Sequence, residues 1–385
     1  MNELAKEKRY CCGCSACMNS CPQSAISMML DEEGFAYPKI HEEKCIHCGI
    51  CLSVCRFYAT GQNGYKQKYY EVKAKDNEIR RRSRSGGVFF LAAKEILSAR
   101  GIVYGVSQIG TSVKYARADN IDGIILMQGS KYVDCQMESI FQSVVKDLTD
   151  NKTVLFSGTA CKISGLYGFL EKQNIPFKGK LLTMDIVCHG VPSSKLYEDY
   201  LEYLEDKYNG KIKQFQFRDK SYGWNTHVET FIINGRSRTS DIYAGLFYSN
   251  YFLRPSCGVC PFTSYNRIAD ITIADFVGNE RVKNNLNDNK GISMIMINSE
   301  WGNKWFSLLE DECITASLDK ELTTQPNLIR PSNIPFARGD IWNYYLTKGF
   351  KKMLKKYGRN DILHRIKWIF RDYPKLLEKR KKLVD

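Results

Sequence analysis

Two stretches, CCGCSACMNSCP at residues 11–22 and CIHCGICLSVCR at residues 45–56, carry cysteines in the same spacing. Each contains the run Cys-x2-Cys-x2-Cys-x3-Cys. A cubane iron–sulfur cluster needs four converging thiolates, and in two-cluster proteins the fourth cysteine of each run binds the other cluster. The doubled run therefore predicts one [4Fe–4S] cluster on Cys11, Cys14, Cys17 and Cys55, and a second on Cys21, Cys45, Cys48 and Cys51.

Closely spaced cysteines also occur in zinc sites and in disulfide frameworks. Zinc sites use paired Cys-x2-Cys knuckles, without a fourth cysteine three residues further on. Disulfide frameworks belong to short secreted chains, whereas residues 1–10 are polar and lack the apolar core of a signal peptide. The spacing therefore favours a two-cluster ferredoxin module, with Cys12 as a surplus thiol.

The second run differs from the first at its end, because Arg56 follows Cys55 whereas Pro22 follows Cys21. A positive charge beside a cluster favours the reduced, more negative state of that cluster. We therefore expect Arg56 to raise the reduction potential of the cluster next to it.

The chain has 385 residues, of which 43% are hydrophobic, and is long enough for this module and a sizeable α/β core. It has no run near the roughly 20 consecutive apolar residues that cross a bilayer, which predicts a soluble protein without a transmembrane segment. Fifteen cysteines without a targeting segment indicate a reducing cytoplasm.

The net charge of +14 is concentrated near the C-terminus, where residues 351–385 hold thirteen Lys and Arg against four Asp and Glu. No zinc-finger, RNP-type or helix-turn-helix signature accompanies this charge, so nucleic acid is not an expected partner. Ile362, Ile366, Ile369 and Phe370 share one face of a predicted basic amphipathic helix. Such a helix docks on its own domain, or offers a surface to an acidic redox partner, an acidic polymer or a membrane.

Residues 80–87, RRRSRSGG, lie between a predicted strand at 69–75 and a predicted helix at 88–97. A helix start presents unpaired N–H groups, and glycines let an anion approach the backbone, so this segment is a candidate phosphate site. The alternative is that Ser85 caps the helix and the arginines form a solvated face.

The patterns that follow predict a largely α/β sheet. Strands are expected at residues 101–106, 121–127, 153–157, 268–275 and 291–298, and a helix at 138–148. We predict three parts: an α+β, ferredoxin-like 2[4Fe–4S] domain at 1–62, a larger α/β catalytic domain at 66–335 and a basic helical tail at 336–385.

Four further cysteines are candidates for a third metal or cluster site. Cys161 and Cys188 follow predicted strands, at the edge where open α/β sheets bind ligands, and Cys257 and Cys260 form another Cys-x2-Cys pair. A dithiol redox pair and buried structural cysteines are the alternatives. Because Cys161 is expected at a helix start, we expect a lowered pKa for its thiol.

These motifs resemble the beta-subunit family of coenzyme F-420 hydrogenases and dehydrogenases, in the bacterial form with its own two-cluster ferredoxin domain. The resemblance rests on residues 83–89, 129–132, 157–161, 185–192, 217–220, 223–224, 257–260 and 269–276. It implies an α/β domain that binds FAD. The cofactor residues that it implies are Arg84, Ser85, Gly86, Gly87, Gly129, Ser130, Lys131, Gly158 and Thr159.

The resemblance also implies an oxidoreductase in which clusters exchange single electrons with FAD and the flavin performs hydride chemistry on an organic substrate. A ferredoxin-like protein is the expected donor or acceptor. Some members lie among polysaccharide-synthesis genes, so a partner enzyme of that kind is also expected. An electron-transfer subunit or adaptor without its own substrate, and a deazaflavin (coenzyme F-420) oxidoreductase, are the alternatives. His189 and Lys131 are weak candidates for a general acid.

Overall fold

The computed structural model describes residues 4, 7–58, 64–282, 286–358 and 372–384. Its N-terminal module contains a short 3-10 helix, one short helix within each cysteine run, and two strands between the runs. They are α1 (Ala16–Asn19), β1 (Ile26–Leu30), β2 (Ala36–Ile40) and α2 (Ile50–Ser53). Strands β1 and β2 form an antiparallel hairpin. The third cysteine of each run is the second residue of its helix, so the two halves of the module repeat one another.

A larger α/β part follows this module. In chain order its elements are β3 (Lys68–Ala74), α3 (Asn77–Arg82), α4 (Val88–Ser98), β4 (Ile102–Ile109), β5 (Ser112–Ala118), α5 (Ile121–Met127), α6 (Ile140–Thr149), β6 (Val154–Thr159), α7 (Ala160–Lys172), β7 (Leu181–Ile186), α8 (Ser194–Tyr208), β8 (Ile212–Gln216), β9 (Glu229–Ile233), β10 (Arg236–Ser240), α9 (Ile242–Tyr248), β11 (Ile271–Asp275), β12 (Ser293–Ile297), α10 (Glu300–Ser307), β13 (Cys313–Ser317), α11 (Arg338–Lys348), α12 (Phe350–Tyr357) and α13 (Tyr373–Val384).

The main sheet has eight strands in the order β13-β3-β12-β11-β7-β6-β4-β5. The four strands β11, β7, β6 and β4 are parallel, and the outer pairs are antiparallel. A ligand can approach strand β6 at its carboxyl end. The first three residues of β6 are buried and apolar, whereas Ser157, Gly158 and Thr159 at its end are small and half-buried. The carboxyl ends of the parallel strands therefore form an open edge, as in other open α/β sheets.

The predicted largely α/β architecture is confirmed, but one predicted strand is wrong. Residues 121–127 form the helix α5, because the side chain of Asn120 accepts a hydrogen bond from the backbone N–H of Gly123 and caps a helix start there. Strands β5, β8, β9, β10 and β13 were not predicted. Strands β8, β9 and β10 form a separate three-stranded antiparallel sheet.

An aromatic core lies between this small sheet and the C-terminal helices. Ile341, Trp342 and Tyr345 of α11 and Met353 of α12 pack into the same core as Tyr200 of α8. The predicted divisions at residues 62 and 335 remain predictions. The predicted helix through Ile362, Ile366, Ile369 and Phe370 lies outside the described residues.

Helix α13 contacts the 3-10 helix Lys220–Tyr222, where Arg380 donates a hydrogen bond to the hydroxyl of Tyr222 at 3.1 Å. Within the parts of the chain that the structure describes, no helix combines the length and hydropathy needed to cross a membrane.

Helix α7 joins the N-terminal module to the main sheet through two glycines on one face. A Cβ on Gly165 would lie 2.7 Å from the Sγ of Cys14, and a Cβ on Gly168 would overlap the carbonyl oxygen of Val54. No flexible side chain could move away to relieve either overlap. The close contact between α7 and the module therefore depends on the absence of side chains at Gly165 and Gly168.

We expect Gly168→Val to separate the module from α7 and to lower the free energy of unfolding by about 1–3 kcal/mol, the usual cost of overpacking. Urea denaturation measures the change. Gly339→Val is the matched control, because Gly339 is also helical but has open space around its Cβ position. Equal losses in both variants would contradict the packing argument.

The aromatic core also contains a buried carboxyl, Glu229. It accepts hydrogen bonds from the hydroxyl of Tyr200 at 2.5 Å and from the backbone N–H groups of Tyr243 and Ala244. Burial raises the pKa of Glu229 to about 7 in spite of these bonds.

Between about pH 4.3, the pKa of an unfolded glutamate, and pH 7, the folded chain holds a proton that the unfolded chain has lost. Stability therefore falls as the pH rises through this window, by at most about 1.4 kcal/mol per pH unit. Urea denaturation at pH 5, 6 and 7 should show that Glu229→Gln removes this fall. The prediction is wrong if the slope of the variant equals that of the unmodified chain.

Candidate iron–sulfur and cofactor site

The four cysteines of the predicted second cluster line one cavity of about 160 Å³. They are Cys21, Cys45, Cys48 and Cys51. Mostly apolar residues complete the lining, together with Gln23 and His47, and one of the apolar residues, Ile46, is 60% exposed. Cys48 is exposed as well. We call this cavity the outer cradle, because it opens at the surface of the protein. The side chains of Glu42 and His47 lie beside Cys45, and the ligand atoms of these three residues are within 4.8 Å of one another. The group Glu42, Cys45 and His47 therefore lies at the outer cradle.

The other four predicted ligands, Cys11, Cys14, Cys17 and Cys55, form what we call the inner set. Burial, followed by the neighbouring thiols of Cys11 and Cys55 and a smaller effect of Cys51, raises the pKa of Cys17 to about 12. Burial and then Cys11 raise the pKa of Cys55. These thiols must lose their protons when they bind iron.

The fourth cysteine of each run lies near cysteines of the other run. Cys55 interacts electrostatically with Cys11. Cys51, the third cysteine of the second run, interacts with Cys48 of its own run and with Cys21 of the first. This arrangement agrees with crossed ligation, which remains a prediction.

Two buried cations contact the loop that carries the inner set. The Nε of Arg254 donates to the carbonyl oxygen of Cys11 at 2.7 Å, and its Nη2 lies 3.8 Å from the Sγ of Cys11. The Nζ of Lys162 donates to the carbonyl oxygens of Gly13 at 2.5 Å and Cys12 at 3.3 Å. Burial alone would lower the pKa of Lys162, but Asp134 and nearby thiols raise it above the usual value, so the ammonium stays charged at neutral pH.

The positive charge of Arg56, next to Cys55, is paired with a carboxylate, and its expected effect on the cluster potential remains a prediction. The Nη1 of Arg56 lies 2.9 Å from Oε1 of Glu171 at the surface, where the carboxylate and solvent compensate the guanidinium. Nothing in the sequence indicates that Arg254 and Lys162 lie at the inner set, because Arg254 is 243 residues away from Cys11.

The four candidate cysteines of the third site come together beside the inner set. Burial raises the pKa of Cys188 well above its usual range, and the thiols of Cys257, Cys161 and Cys260 raise it further. Burial and the Cys260 and Cys161 thiols likewise raise the pKa of Cys257 to about 12. The surplus thiol of Cys12 lies 3.9 Å from the carbonyl oxygen of Cys161, between the two groups.

The expected lowering of the Cys161 pKa is wrong. A hydrogen bond with Cys12 and burial raise the pKa of Cys161 well above its usual range, and these effects exceed the lowering by nearby Lys162 and Thr159.

A cavity of about 630 Å³ opens at the carboxyl ends of the parallel strands. Eight of the nine predicted cofactor residues line it: Arg84, Ser85, Gly87, Gly129, Ser130, Lys131, Gly158 and Thr159. Gly86 lies behind this lining, where a Cβ would overlap the carbonyl oxygen of Val72 and where its N–H bonds Ser293. Cys188, Asp134 and Lys162 line the same cavity, so it is continuous with the cysteine groups.

The segment 80–87 combines parts of both sequence interpretations. Arg81 and Arg82 bond the exposed Glu78 and do form a solvated face. Ser85 does not cap α4, since its hydroxyl donates to the carbonyl oxygen of Ile292 and Gly87 precedes the helix with a positive φ of 95°. Arg84 turns into the cavity.

Arg84 and Arg218 share one carboxylate inside the cavity. Asp275 Oδ2 lies 2.6 Å from Nη2 of Arg84 and 3.3 Å from Nη1 of Arg218. The Nε of Arg84 is buried without a hydrogen-bond partner among the described residues. This end of the cavity therefore carries an uncompensated positive charge that suits an anion.

His227 is a cavity residue that the sequence did not single out. Burial, followed by Arg218 and Arg84, lowers the pKa of His227 to about 4, so the imidazole is neutral at pH 7. No motif contains it, and only the approach of the two arginines makes it distinctive.

The two weak candidates for a general acid are held by other groups. Burial lowers the pKa of Lys131 to about 7, and its Nζ lies within 3.2 Å of the carbonyl oxygens of Met127, Gln128 and Gly129. The ring nitrogens of His189 lie 2.7 Å from Oδ1 of Asn250 and 3.2 Å from Oγ of Ser332. Lys131 therefore orders the loop at Gly129, and His189 is fixed at the cavity wall.

Comparison with known families agrees with this arrangement. Residues 10–59 match the 4Fe-4S dicluster domain. Residues 151–321 match the C-terminal part of the coenzyme F420 hydrogenase/dehydrogenase beta chain. Over these residues the chain is similar to the coenzyme F420 hydrogenase/dehydrogenase beta-subunit family, which confirms the resemblance seen in the sequence motifs. In this chain an iron–sulfur match therefore precedes a match to an oxidoreductase-related subunit.

Two individual proteins are similar to parts of the chain. The ferredoxin-type protein NapF of Haemophilus influenzae is 35% identical over 54 residues, which are 14% of this chain and 31% of that protein. The chain thus spans less than a third of this curated relative. A chain of the F420-reducing [NiFe] hydrogenase complex from Methanosarcina barkeri, studied with xenon, superposes with a TM-score of 0.48 at 16% identity, covering 73% of this chain and 98% of that one. At this TM-score the likeness defines neither fold nor function here.

Crossed ligation is tested by pairs of substitutions. If Cys55 and Cys11 bind the same cluster, Cys11→Ser combined with Cys55→Ser should cost only about four irons per chain, and Cys45→Ser combined with Cys55→Ser about eight. Iron and sulfide analysis after anaerobic purification measures both. The reverse order of losses would mean that each run binds its own cluster, and Cys313→Ser, in a buried cysteine of β13, is the control.

Proposed function

We propose that this chain is an iron–sulfur flavoprotein oxidoreductase. It would move electrons between a ferredoxin-like protein and an organic substrate in the 630 Å³ cavity. The observation that carries the proposal is the continuous series of thiols from the exposed Cys48, through the inner set, to Cys188 in the cavity wall. A series of this kind is what a path for single electrons requires.

The position of the outer cradle supports it as the place where a redox protein docks. Cys48 and Ile46 are exposed there, whereas Cys14 of the inner set packs against Gly165 of α7. A partner can therefore approach the outer cradle closely, while Cys14 of the inner set faces the large domain.

The third group of cysteines fits a further [4Fe–4S] cluster. Cys161, Cys188, Cys257 and Cys260 supply the four thiols that a cubane cluster needs, and they come from three separate segments that meet beside the cavity. A cluster on these residues would lie between the inner set and the cavity.

The cavity residues fit FAD. A volume of about 630 Å³ lies within the usual range of roughly 300–1,000 Å³ for ligand sites. Arg84 and Arg218, with Asp275 between them, suit the negative charge of a dinucleotide diphosphate, and the buried Nε of Arg84 needs an acceptor. The N-terminus of the eleven-residue helix α4 adds N–H groups behind Gly87.

When bound, the clusters would supply one-electron transfer and the flavin two-electron hydride chemistry. The chain itself positions and shields these groups. Arg84 and Arg218 would hold the anion, Lys131 fixes the loop at Gly129, and neutral His227 offers a proton acceptor in the cavity wall. Fifteen free thiols support a reducing cytoplasm as its compartment. A polysaccharide-synthesis partner remains a prediction.

The proposal is tested by anaerobic purification with iron, sulfide and flavin measured per chain. About twelve irons and one flavin are expected, and Cys257→Ser should lose about four irons, whereas Cys313→Ser should lose none. Arg84→Met should lower the flavin content at unchanged iron, since it removes a cation from the cavity. Protein with its iron but no flavin would refute the reductase. Protein with flavin that oxidises no small molecule without a partner would favour the adaptor.

A further inference from the structure

The inner set lies against a buried excess of positive charge. Arg254 exposes 1% of its side chain and Lys162 exposes 6%. Both come from the large domain, and both contact the loop from Cys11 to Gly13 in the N-terminal module. The guanidinium also lies over the ring of Tyr37 at 4.4 Å from its centroid, so its surroundings are largely dry.

Among the described residues, the carboxylate that these two cations share is Asp134. Its Oδ2 lies 3.0 Å from Nη1 of Arg254, and its Oδ1 lies 3.8 Å from Nζ of Lys162. Two cations and one carboxylate leave one net positive charge next to Cys11. Because solvent is excluded, this charge is screened far less than a charge at the surface.

The outer cradle has different surroundings. The thiol of Cys21 accepts a hydrogen bond from the backbone N–H of Ala25 at 3.2 Å, which carries no net charge. The charged side chains of Glu42, Glu43 and Lys44 beside it are exposed and screened by water.

We propose that Arg254, Lys162 and Asp134 set the reduction potential of the inner cluster above that of the outer cluster. On reduction a cluster gains one negative charge, and a nearby uncompensated cation stabilises the more negative state. The N–H of Arg254 that points at the Sγ of Cys11 acts in the same direction, since hydrogen bonds to cluster sulfurs tune the potential. Electrons accepted at the outer cradle therefore collect at the inner cluster.

This inference rests on the proposed function only in requiring both ferredoxin-type clusters. It holds for either direction of net turnover, because it concerns the difference between two potentials and not the substrate. Arg254, Lys162 and Asp134 thus act through their charges on the reduction potential of the inner cluster.

Two substitutions with opposite expected signs test the inference. Lys162→Met leaves a neutral Arg254–Asp134 pair, so the inner cluster should become harder to reduce. Asp134→Asn leaves two unopposed cations, so the same cluster should become easier to reduce. Each change should alter the ratio of reduced to oxidised inner cluster at least tenfold at a fixed applied potential, which is about 59 mV for a one-electron couple.

The measurement is a potentiometric titration of the full chain followed by EPR, with the inner-cluster signal identified as the one lost in Cys55→Ser. The outer-cluster potential is the internal reference and should not move. Lys162→Arg, which keeps the charge, and Arg56→Gln, which removes a compensated surface charge, should both leave the inner potential unchanged.

Shifts of the same sign in Lys162→Met and Asp134→Asn would indicate general loosening of the site and would overturn the inference, as would equal shifts of both clusters. Iron analysis precedes the titration. Fewer than about eight irons in the unmodified chain would refute the two-cluster basis, whereas full iron content with unmoved potentials would refute only this inference.

Discussion

The contact between helix α7 and the N-terminal module is the constraint on which the rest of the molecule depends. Gly165 and Gly168 bring the helix against Cys14 and Val54, where side chains would hold the two parts away from one another. Cys161 and Lys162 lie in the first turn of the same helix, directly after the end of β6 that lines the cavity. Helix α7 therefore fixes the distance between the module and the large domain. It also fixes the distance of the Cys161 thiol and of the Lys162 ammonium from the inner set.

The sequence predicts best the features that depend on local spacing. The cysteine runs specify their module because three ligands of each cluster lie within seven residues of one another. The glycine-rich and serine-rich segments at strand ends lead to the cavity, since parallel strands place their carboxyl ends at one edge. Gly86 is the exception, because it does not line the cavity. The absence of a side chain lets the Gly86 backbone lie close to Val72 of β3 and Ser293 of β12.

Contacts between residues far apart in the chain could not be predicted from the sequence. Arg56 lies next to a predicted ligand in sequence and is paired with Glu171, while Arg254 reaches Cys11 across 243 residues of sequence. Residues 121–127 are apolar enough for a strand, and a single capping side chain, Asn120, makes them a helix. His227 gains its character only from the two arginines around it. In each case the deciding partner is set by the tertiary fold.

The exposure of Cys48 has a second consequence for a protein of this kind. A sulfur that a redox partner can approach is also the first one that dioxygen and peroxide meet, and susceptibility to oxidation follows exposure and thiolate character. Cys55 of the inner set is exposed as well, whereas Cys14 packs against α7 and the cysteines beside the cavity are half-buried. Oxidative damage would therefore begin at Cys48 and Cys55 and disconnect the chain from its partner before it reached the half-buried cysteines.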